Sequence, residues 1–521
     1  MDKGFGLIVI VALLLCPKGN TGSQTFCPYK CHCFTSAQVL CADGGLSYLP
    51  RNMSRQVKDF ILISSDLQYL FSHTLRDSPQ LTKLVFLNNA LRSIHAQAFE
   101  HLVELQELEV SGSPWLDSLF LGTFANQENL TKLTLNNNGL KTVLPGMFDS
   151  LIQLETLQMK GNVISDLPSI LFMNLQNLRV LDLSRNKIKT VTFSGLARLE
   201  ILKMNHNLIS ELTSDMFHNI SGLTELHLEG NKIAELAEGI FFVLTELQVL
   251  NLRGNLLTTF SDKVFGFEAS NLTELNLKGN RLTELSSLGS FTSLSDLNLS
   301  SNQLSSLTED VFRNVTALEY LDLSENQLTS LPEMVFNSLF NIKTIHLNKN
   351  SLSKVDAKLF EDQVLIQQLY LDDNQMETMP WGLLDSFAIQ HTVRLHGNPW
   401  KCDCHLWYLH DWVQRNSQDI EMLDRVLCQN PGFLRRRPVA SVDREQLVCR
   451  LTQDEVPDFS RCSQEAFKDT VVIKCKVDKC SPLTVKVQLQ GNDGSFKEHT
   501  FNIEPEYSQC SNETTIDSPI H

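Results

Sequence analysis

Between Cys41 and Cys402 the chain has no cysteine, although it carries 13 in 521 residues. That gap excludes disulfide or thiolate–metal support for the long middle of the molecule, which must be held by burial and hydrogen bonding. Basic charge is also scarce. Lys and Arg number 44 against 60 Asp and Glu, a net charge of −16. Such a balance disfavours nucleic acid and anionic membrane as partners. The one basic run, Arg435-Arg436-Arg437, suits a sulfated glycan, but a solvated loop explains it more simply. Long apolar runs are missing. After Leu7–Cys16 no stretch approaches the length that spans a bilayer, and the C-terminus, ending Ser518-Pro-Ile-His521, has no hydrophobic tail, so no membrane anchor is expected. Catalytic signatures are missing too: no His-Glu-x-x-His, no Gly-x-Ser-x-Gly and no phosphate-binding glycine loop. His101-Leu-Val-Glu104 fits the short string of a zinc peptidase, but it lies between Phe99 and Leu105, where ordinary surface residues are expected. His405 and His410 are five residues apart and do not share a helical face. Neither catalysis nor a cofactor or metal is expected.

What the chain has in abundance is leucine at a fixed spacing. The string Leu-x-x-Leu-x-Leu-x-x-Asn-x-Leu, fully formed at Leu318-Glu-Tyr-Leu321-Asp-Leu323-Ser-Glu-Asn326-Gln-Leu328, returns about every 24 residues from Val57 to Trp400. Fifteen copies start at 57, 81, 105, 130, 154, 178, 199, 223, 247, 272, 294, 318, 342, 366 and 390. This period and pattern define a leucine-rich-repeat solenoid, an α/β horseshoe whose coils bury their leucines against one another. Leu321 and Leu323 alternate as a strand requires and point inward, which leaves Glu319, Tyr320, Asp322 and Ser324 for the exposed concave surface. Asn326 falls where the strand turns, and its carboxamide can both donate and accept to backbone groups there and in the neighbouring coil. Thirteen copies keep this Asn, and Ser65 and Ser113 replace it in the first and third.

Ten residues after the Asn runs a second ladder: Phe99, Phe148, Phe172, Phe217, Phe241, Phe265, Phe312, Phe336 and Phe360. These rings should stack as an apolar spine under the convex side. The copies starting at 178 and 272 are short and lack this Phe, so a local change of curvature is expected at both.

The ends differ from the middle. Residues 1–22, with Lys3 before the apolar run and a polar break after it, read as a secretory signal peptide. Its removal takes Asp2, Lys3, Cys16 and Lys18 and leaves a net charge of −17 with 12 cysteines. Four of these, Cys27, Cys31, Cys33 and Cys41, fall in an N-terminal cap over 23–56. Four more, Cys402, Cys404, Cys428 and Cys449, fall in a C-terminal cap over 398–450, after the repeats at 57–397. An even number of clustered cysteines in a secreted chain reads as disulfides and not as zinc ligands. The caps should cover the apolar ends of the ladder, with Leu406, Trp407, Leu409, Trp412 and Val413 as a helical lid. Asn-x-Ser/Thr sequons mark Asn52, Asn129, Asn219, Asn271, Asn298, Asn314 and Asn512 for glycosylation. Asn298 lies between Leu297 and Leu299, hence on the concave face, and Asn271 lies near its rim. Either a glycan blocks that surface around the eleventh coil, or the Asn298 sequon is unused.

A tail at 451–521 is neither repeat nor cap. Thr470–Val477, Leu483–Leu489 and Phe496–Ile503 read as strands of a small β-rich sheet braced by Cys462, Cys475, Cys480 and Cys510. Here the chain resembles the large, non-catalytic regulatory subunits of carboxypeptidase N. The likeness is carried by Cys27-Pro-Tyr-Lys-Cys-His-Cys33, Leu81-Thr-Lys-Leu-Val-Phe-Leu-Asn88, Leu105-Gln-Glu-Leu-Glu-Val-Ser-Gly112, Leu395-His-Gly-Asn-Pro-Trp-Lys-Cys-Asp-Cys-His-Leu406 and Thr470-Val-Val-Ile-Lys-Cys475. The resemblance implies a secreted plasma glycoprotein that binds and stabilises the catalytic subunit of a zinc carboxypeptidase acting on C-terminal Lys and Arg, as a dimer of heterodimers. It assigns no contact residues. Geometry alone points to concave strands free of sequons, at Glu319, Tyr320, Asp322, His346, Tyr370 and Asp372. The alternative is a stand-alone extracellular recognition protein of immunity or matrix.

Overall fold

The computed structural model describes residues 27–50, 53–266, 269–387 and 389–449. It also describes the tail strands Cys462–Phe467, Thr470–Val477, Leu483–Gln490, Phe496–Ile503 and Thr514–Ile520. The signal peptide, Asn52, Cys480, Cys510 and Asn512 lie outside the described residues. The chain packs as two compact units, divided near Leu257, with Lys263–Gly266 belonging to the first and Leu257–Asp262 to the second.

Each unit is a β-solenoid. All fifteen repeats contribute a concave strand, from Asp59–Ile63 to Thr392–Arg394, and within each unit neighbouring coils pair in parallel. The ladder does not stop with the repeats. Gln38–Ala42 of the N-terminal cap pairs in parallel with Asp59–Ile63, and Ile420–Glu421 of the C-terminal cap pairs in parallel with the Thr392–Arg394 strand. Each cap therefore satisfies an edge that would otherwise stay open to another chain. The convex segments are turns with short 3-10 pieces at Ser214–Met216 and Asp262–Phe265, and among the described residues the one α-helix is Trp407–Arg415.

The leucine positions are buried as the repeat requires: Leu318, Leu321, Leu323 and Leu328 are all inaccessible to solvent. The Asn ladder works through both ends of the carboxamide. Asn350 Nδ2 donates to Leu323 O of the preceding coil at 2.9 Å and to Leu347 O of its own at 3.1 Å, while Oδ1 accepts Leu328 N–H at 3.1 Å. Leu328 N–H, which the turn would bury unpaired, is thereby satisfied, and the two carbonyls each receive a second amide donor from Asn326 or Asn374. Ser65 fills this role with less, donating its hydroxyl to Asn89 Oδ1 at 2.6 Å.

The aromatic spine is more continuous than the ten-residue spacing predicts. Phe124 stacks between Phe99 and Phe148 at 6.4 and 6.1 Å. In the short coil starting at 178, Phe193 takes the spine position and stacks on Phe172 at 6.2 Å. In the second unit Phe291 of the other short coil packs on Phe260 at 6.4 Å, and Phe312, Phe336 and Phe360 follow in stacked contact. Residues are deleted from these coils while the ring is kept.

Four disulfides close the caps: Cys27–Cys33, Cys31–Cys41, Cys402–Cys428 and Cys404–Cys449. The lid helix buries Tyr408, Leu409, His410, Trp412 and Val413. Trp407, expected in that buried stripe, instead lies at its edge under the Arg444 guanidinium, 4.7 Å from the ring centre, because its indole N–H reaches Leu447 O at 3.1 Å. In the tail, Cys462–Phe467 and Thr514–Ile520 flank Thr470–Val477 in one antiparallel sheet, and Leu483–Gln490 pairs with Phe496–Ile503 in another. The single small sheet expected from sequence is two, and its two outer strands carry no alternating pattern that announces them.

Candidate functional site

The repeat leaves two outward positions per concave strand, and the parallel register turns each into a row. In the second unit one such row reads Asp322, His346, Tyr370, Arg394, Glu421, with each residue opposite the next across the sheet. Tyr320 meets His346 edge-on at 5.5 Å, and His346 lies flat on Tyr370 at 4.3 Å with the rings 8° apart. The Arg394 guanidinium covers the other end of the stack, 3.9 Å from the Tyr370 ring centre, and Glu421 fixes it through a 2.5 Å contact to Nε. A cation over a tyrosine face adds about 0.5–2 kcal/mol and holds both side chains in place. The result is a preformed strip of π-surface and charge whose side chains contact one another in the absence of a partner.

The neighbouring outward row carries Ser324, Asp372 and His396. His396 Nε2 approaches Asp372 Oδ2 at 3.7 Å. Burial pushes the Asp372 carboxyl above its usual range, against the opposing pull of His396. Burial also lowers the His346 imidazole, partly offset by the Asp322 charge, and raises the Tyr320 hydroxyl to about 12, with the Asp322 charge adding to the effect. The strip is thus neutral at its aromatic centre at pH 7.

Of the six residues singled out from sequence, four take part in one surface: Tyr320, Asp322, His346 and Tyr370. Asp322 and Asp372 are only 6% and 5% exposed, so they are not the open side chains that strand alternation alone predicts. For Asp322 the cause is local: its carboxylate accepts Ser324 N–H at 2.9 Å and the Ser324 hydroxyl at 2.6 Å, folding both against the sheet. Ser324, also read as exposed, is buried with it. Glu319 is exposed but precedes its strand and pairs with Lys343 at 2.7 Å on the rim, apart from the stack. Sequence reading missed Arg394, His396 and Glu421. The first two occupy the same outward positions as Tyr370 and Asp372 one coil later and were open to detection. Glu421 sits in the cap, outside any repeat.

His101 and Glu104 are both exposed on convex turns and join no cluster of ligand-bearing side chains among the described residues. His410 is buried against Val442 O at 2.8 Å, while His405 turns to Asp403 at 3.0 Å. Arg435–Arg437 are exposed, with Arg437 held inside the cap by Gln446 and Ser441. Asn298 lies on the concave Asp296–Asn298 strand, and its carbonyl oxygen accepts both Ser300 N–H at 3.0 Å and the Ser300 hydroxyl at 2.7 Å.

Parallel coils, asparagine ladder and cysteine-closed ends together define a leucine-rich-repeat protein of the extracellular type. The comparisons agree. Residues 153–376 match a leucine rich repeat family model in overlapping segments, and residues 54–179 match a BspA type leucine rich repeat region, so the chain belongs to the leucine-rich-repeat proteins. It is similar to human carboxypeptidase N subunit 2, with 33% identity over 125 residues, 20% of this chain and 22% of that protein. The mouse subunit 2 matches at 33% over 139 residues, 22% of this chain and 25% of that protein. The chain thus spans about a quarter or less of these relatives' length. Mouse immunoglobulin superfamily member 10 is 32% identical over 83 residues, 14% of this chain and 3% of that protein. Among solved structures, a leucine-rich-repeat protein of Leptospira interrogans is 26% identical with a TM-score of 0.63, covering 73% of this chain and 93% of that one. A chain of the Drosophila Toll–Spatzle complex shares the fold at 21% identity and a TM-score of 0.62, covering 82% of this chain and 66% of that one. No helix among the described residues is long and apolar enough to cross a membrane.

Proposed function

We infer that the chain is a secreted, non-catalytic scaffold that binds and stabilises a zinc carboxypeptidase acting on the C-terminal Lys and Arg of circulating peptides. The observation that carries this reading is the similarity to carboxypeptidase N subunit 2 of two mammals. The docking surface in this reading is the strip Tyr320–His346–Tyr370–Arg394, chosen on its geometry alone. Aromatic and arginine side chains dominate the energetics of interfaces, and a strip already ordered loses little side-chain entropy on binding. The disulfide-closed caps suit an oxidising compartment. Plasma as the compartment, a dimer of heterodimers, and glycans on Asn52, Asn129, Asn219, Asn271, Asn314 and Asn512 belong to the same reading. Affinity capture of the secreted chain from its own body fluid tests it. A co-purifying peptidase that releases C-terminal Arg and loses activity to a chelator is the expected result, and recovery of the chain alone would overturn the reading.

A second reading has its own support. Similar stretches match immunoglobulin superfamily member 10 and, at 32% identity over 65 residues, human SLIT and NTRK-like protein 6. A stand-alone recognition protein would use the same strip for a different protein ligand, and the capture experiment would return that ligand without peptidase activity.

A further inference from the structure

One corner of the second unit's concave face is left electrostatically unfinished. Five buried side-chain polar atoms lack a hydrogen-bond partner among the described residues, and three of them, His346 Nε2, Asp372 Oδ1 and His396 Nδ1, lie together on three successive coils. Asp372 is the sharpest case. It is 5% exposed, Oδ1 has no partner, and Oδ2 stands 3.7 Å from the His396 ring nitrogen, too far for a hydrogen bond. A buried carboxylate with one oxygen left unpaired is unfavourable unless a proton or a cation completes it.

Beside it, Asp373 holds a left-handed backbone conformation (φ 53°) that turns its carboxylate onto the next coil. Its Oδ1 lies directly over Gly397, next in sequence to His396, where φ is +72° and any β-carbon would collide with that oxygen. One ligand atom each from Asp372, Asp373 and His396 lies within 4.8 Å of the others. A tetrahedral zinc ion with bonds of about 2.0–2.2 Å needs its ligand atoms about 3.3 Å apart, a closure that side-chain rotation can supply. Lys349 and Arg394, the basic side chains nearby in the ladder, are occupied by Glu325 at 2.9 Å and by Glu421. We propose that Asp372, Asp373 and His396 form a binding site for a divalent transition ion of the zinc type, with a fourth position open to solvent on the concave face. Two carboxylates and an imidazole suit zinc; calcium would ask for six to eight oxygens, which this corner does not offer.

The second candidate cluster, Asp403, Cys404, His405 and Cys449, carries no such site, because both of its sulfurs are spent in one disulfide. The concave site is independent of the docking reading and stands or falls separately. Its test is equilibrium dialysis of the chelator-washed full chain against zinc chloride, with calcium chloride as the control. One saturable equivalent of zinc is expected, together with at least a tenfold loss of affinity in both Asp372→Asn and Asp373→Asn. Asp373 is exposed, so Asp373→Asn decides the matter should Asp372→Asn fail to fold. Absence of saturable binding, or an isotherm unchanged in Asp373→Asn, would overturn the site.

Discussion

The concave sheets of the two units rest on the same kind of leucine interior, and each carries a contrasting outward row beside its own cap. In the first unit the row placed in register like Tyr370 and its neighbours starts beside the cap as Leu40, Ile61 and Val85, is aliphatic there before it continues in Glu109 and Thr134, and is flanked by a Lys83–Glu107 pair at 2.7 Å. In the second unit the corresponding row is the stacked Asp322-His346-Tyr370-Arg394-Glu421. Leu84 and Leu321 beneath them are equally buried. The inward positions answer to packing, which every coil must satisfy alike. The outward ones are free of that constraint and differ from coil to coil.

That contrast can be broken from the inside first. Phe336, stacked between Phe312 and Phe360, is expected to lose about 3–5 kcal/mol on substitution by Ala, by lost burial and the cavity left behind. Urea unfolding followed by circular dichroism reads this directly. Asn350→Ala should cost about 1–3 kcal/mol, since it leaves Leu328 N–H unpaired in the interior and removes one of the two amide donors to each of Leu323 O and Leu347 O. Ser65→Ala, near the end of the ladder, should cost about 1 kcal/mol in the same measurement, because it removes the hydroxyl contact to Asn89 and a long 3.4 Å one from Leu67 N–H.

Smaller effects sharpen it. Asp403 caps the turn before the lid helix by accepting His405 N–H at 2.9 Å. Burial alone would raise its carboxyl, but hydrogen bonds from His405 and Lys401 outweigh burial and hold it below the usual range. A depressed folded value means that its contribution is present above the unfolded pKa of about 3.9 and is lost as pH falls through the folded one. The urea midpoint of Asp403→Asn should therefore fall below that of the native chain at pH 7 and converge with it toward pH 3. Glycan mapping by mass spectrometry should find Asn314 occupied and Asn298 bare. Asn314 is exposed on a convex turn, whereas the Asn298 carboxamide is tied to the buried Ser300.

Much of this was legible in the chain, for a physical reason. Core leucines and turn asparagines repeat because each coil solves the same packing problem, so their roles follow from spacing. Phe124, Phe193 and Phe291 escaped a reading that demanded a fixed ten-residue offset, since a ring can reach the same spine from a convex segment one residue longer or three shorter. The strands Gln38–Ala42 and Ile420–Glu421 were illegible, because they belong to caps whose sequence does not repeat. Burial of Asp322 was likewise hidden: alternation gives the side a residue faces, not whether Ser324 will fold against it. Arg394 shows the opposite case. Its place in the row followed from the same alternation that picked Tyr370.

The central claim is that the aromatic–cation strip of the second unit docks a zinc carboxypeptidase. Capture from the native fluid should be run side by side with the native chain, with Tyr370→Ala/Arg394→Ala, and with Ile61→Thr/Val85→Thr from the first unit's row. The account predicts chelator-sensitive release of C-terminal Arg in the native and Ile61/Val85 eluates, and at least a tenfold loss in the Tyr370/Arg394 eluate at unchanged secretion. Equal activity in all three eluates, or none with the native chain, would contradict it.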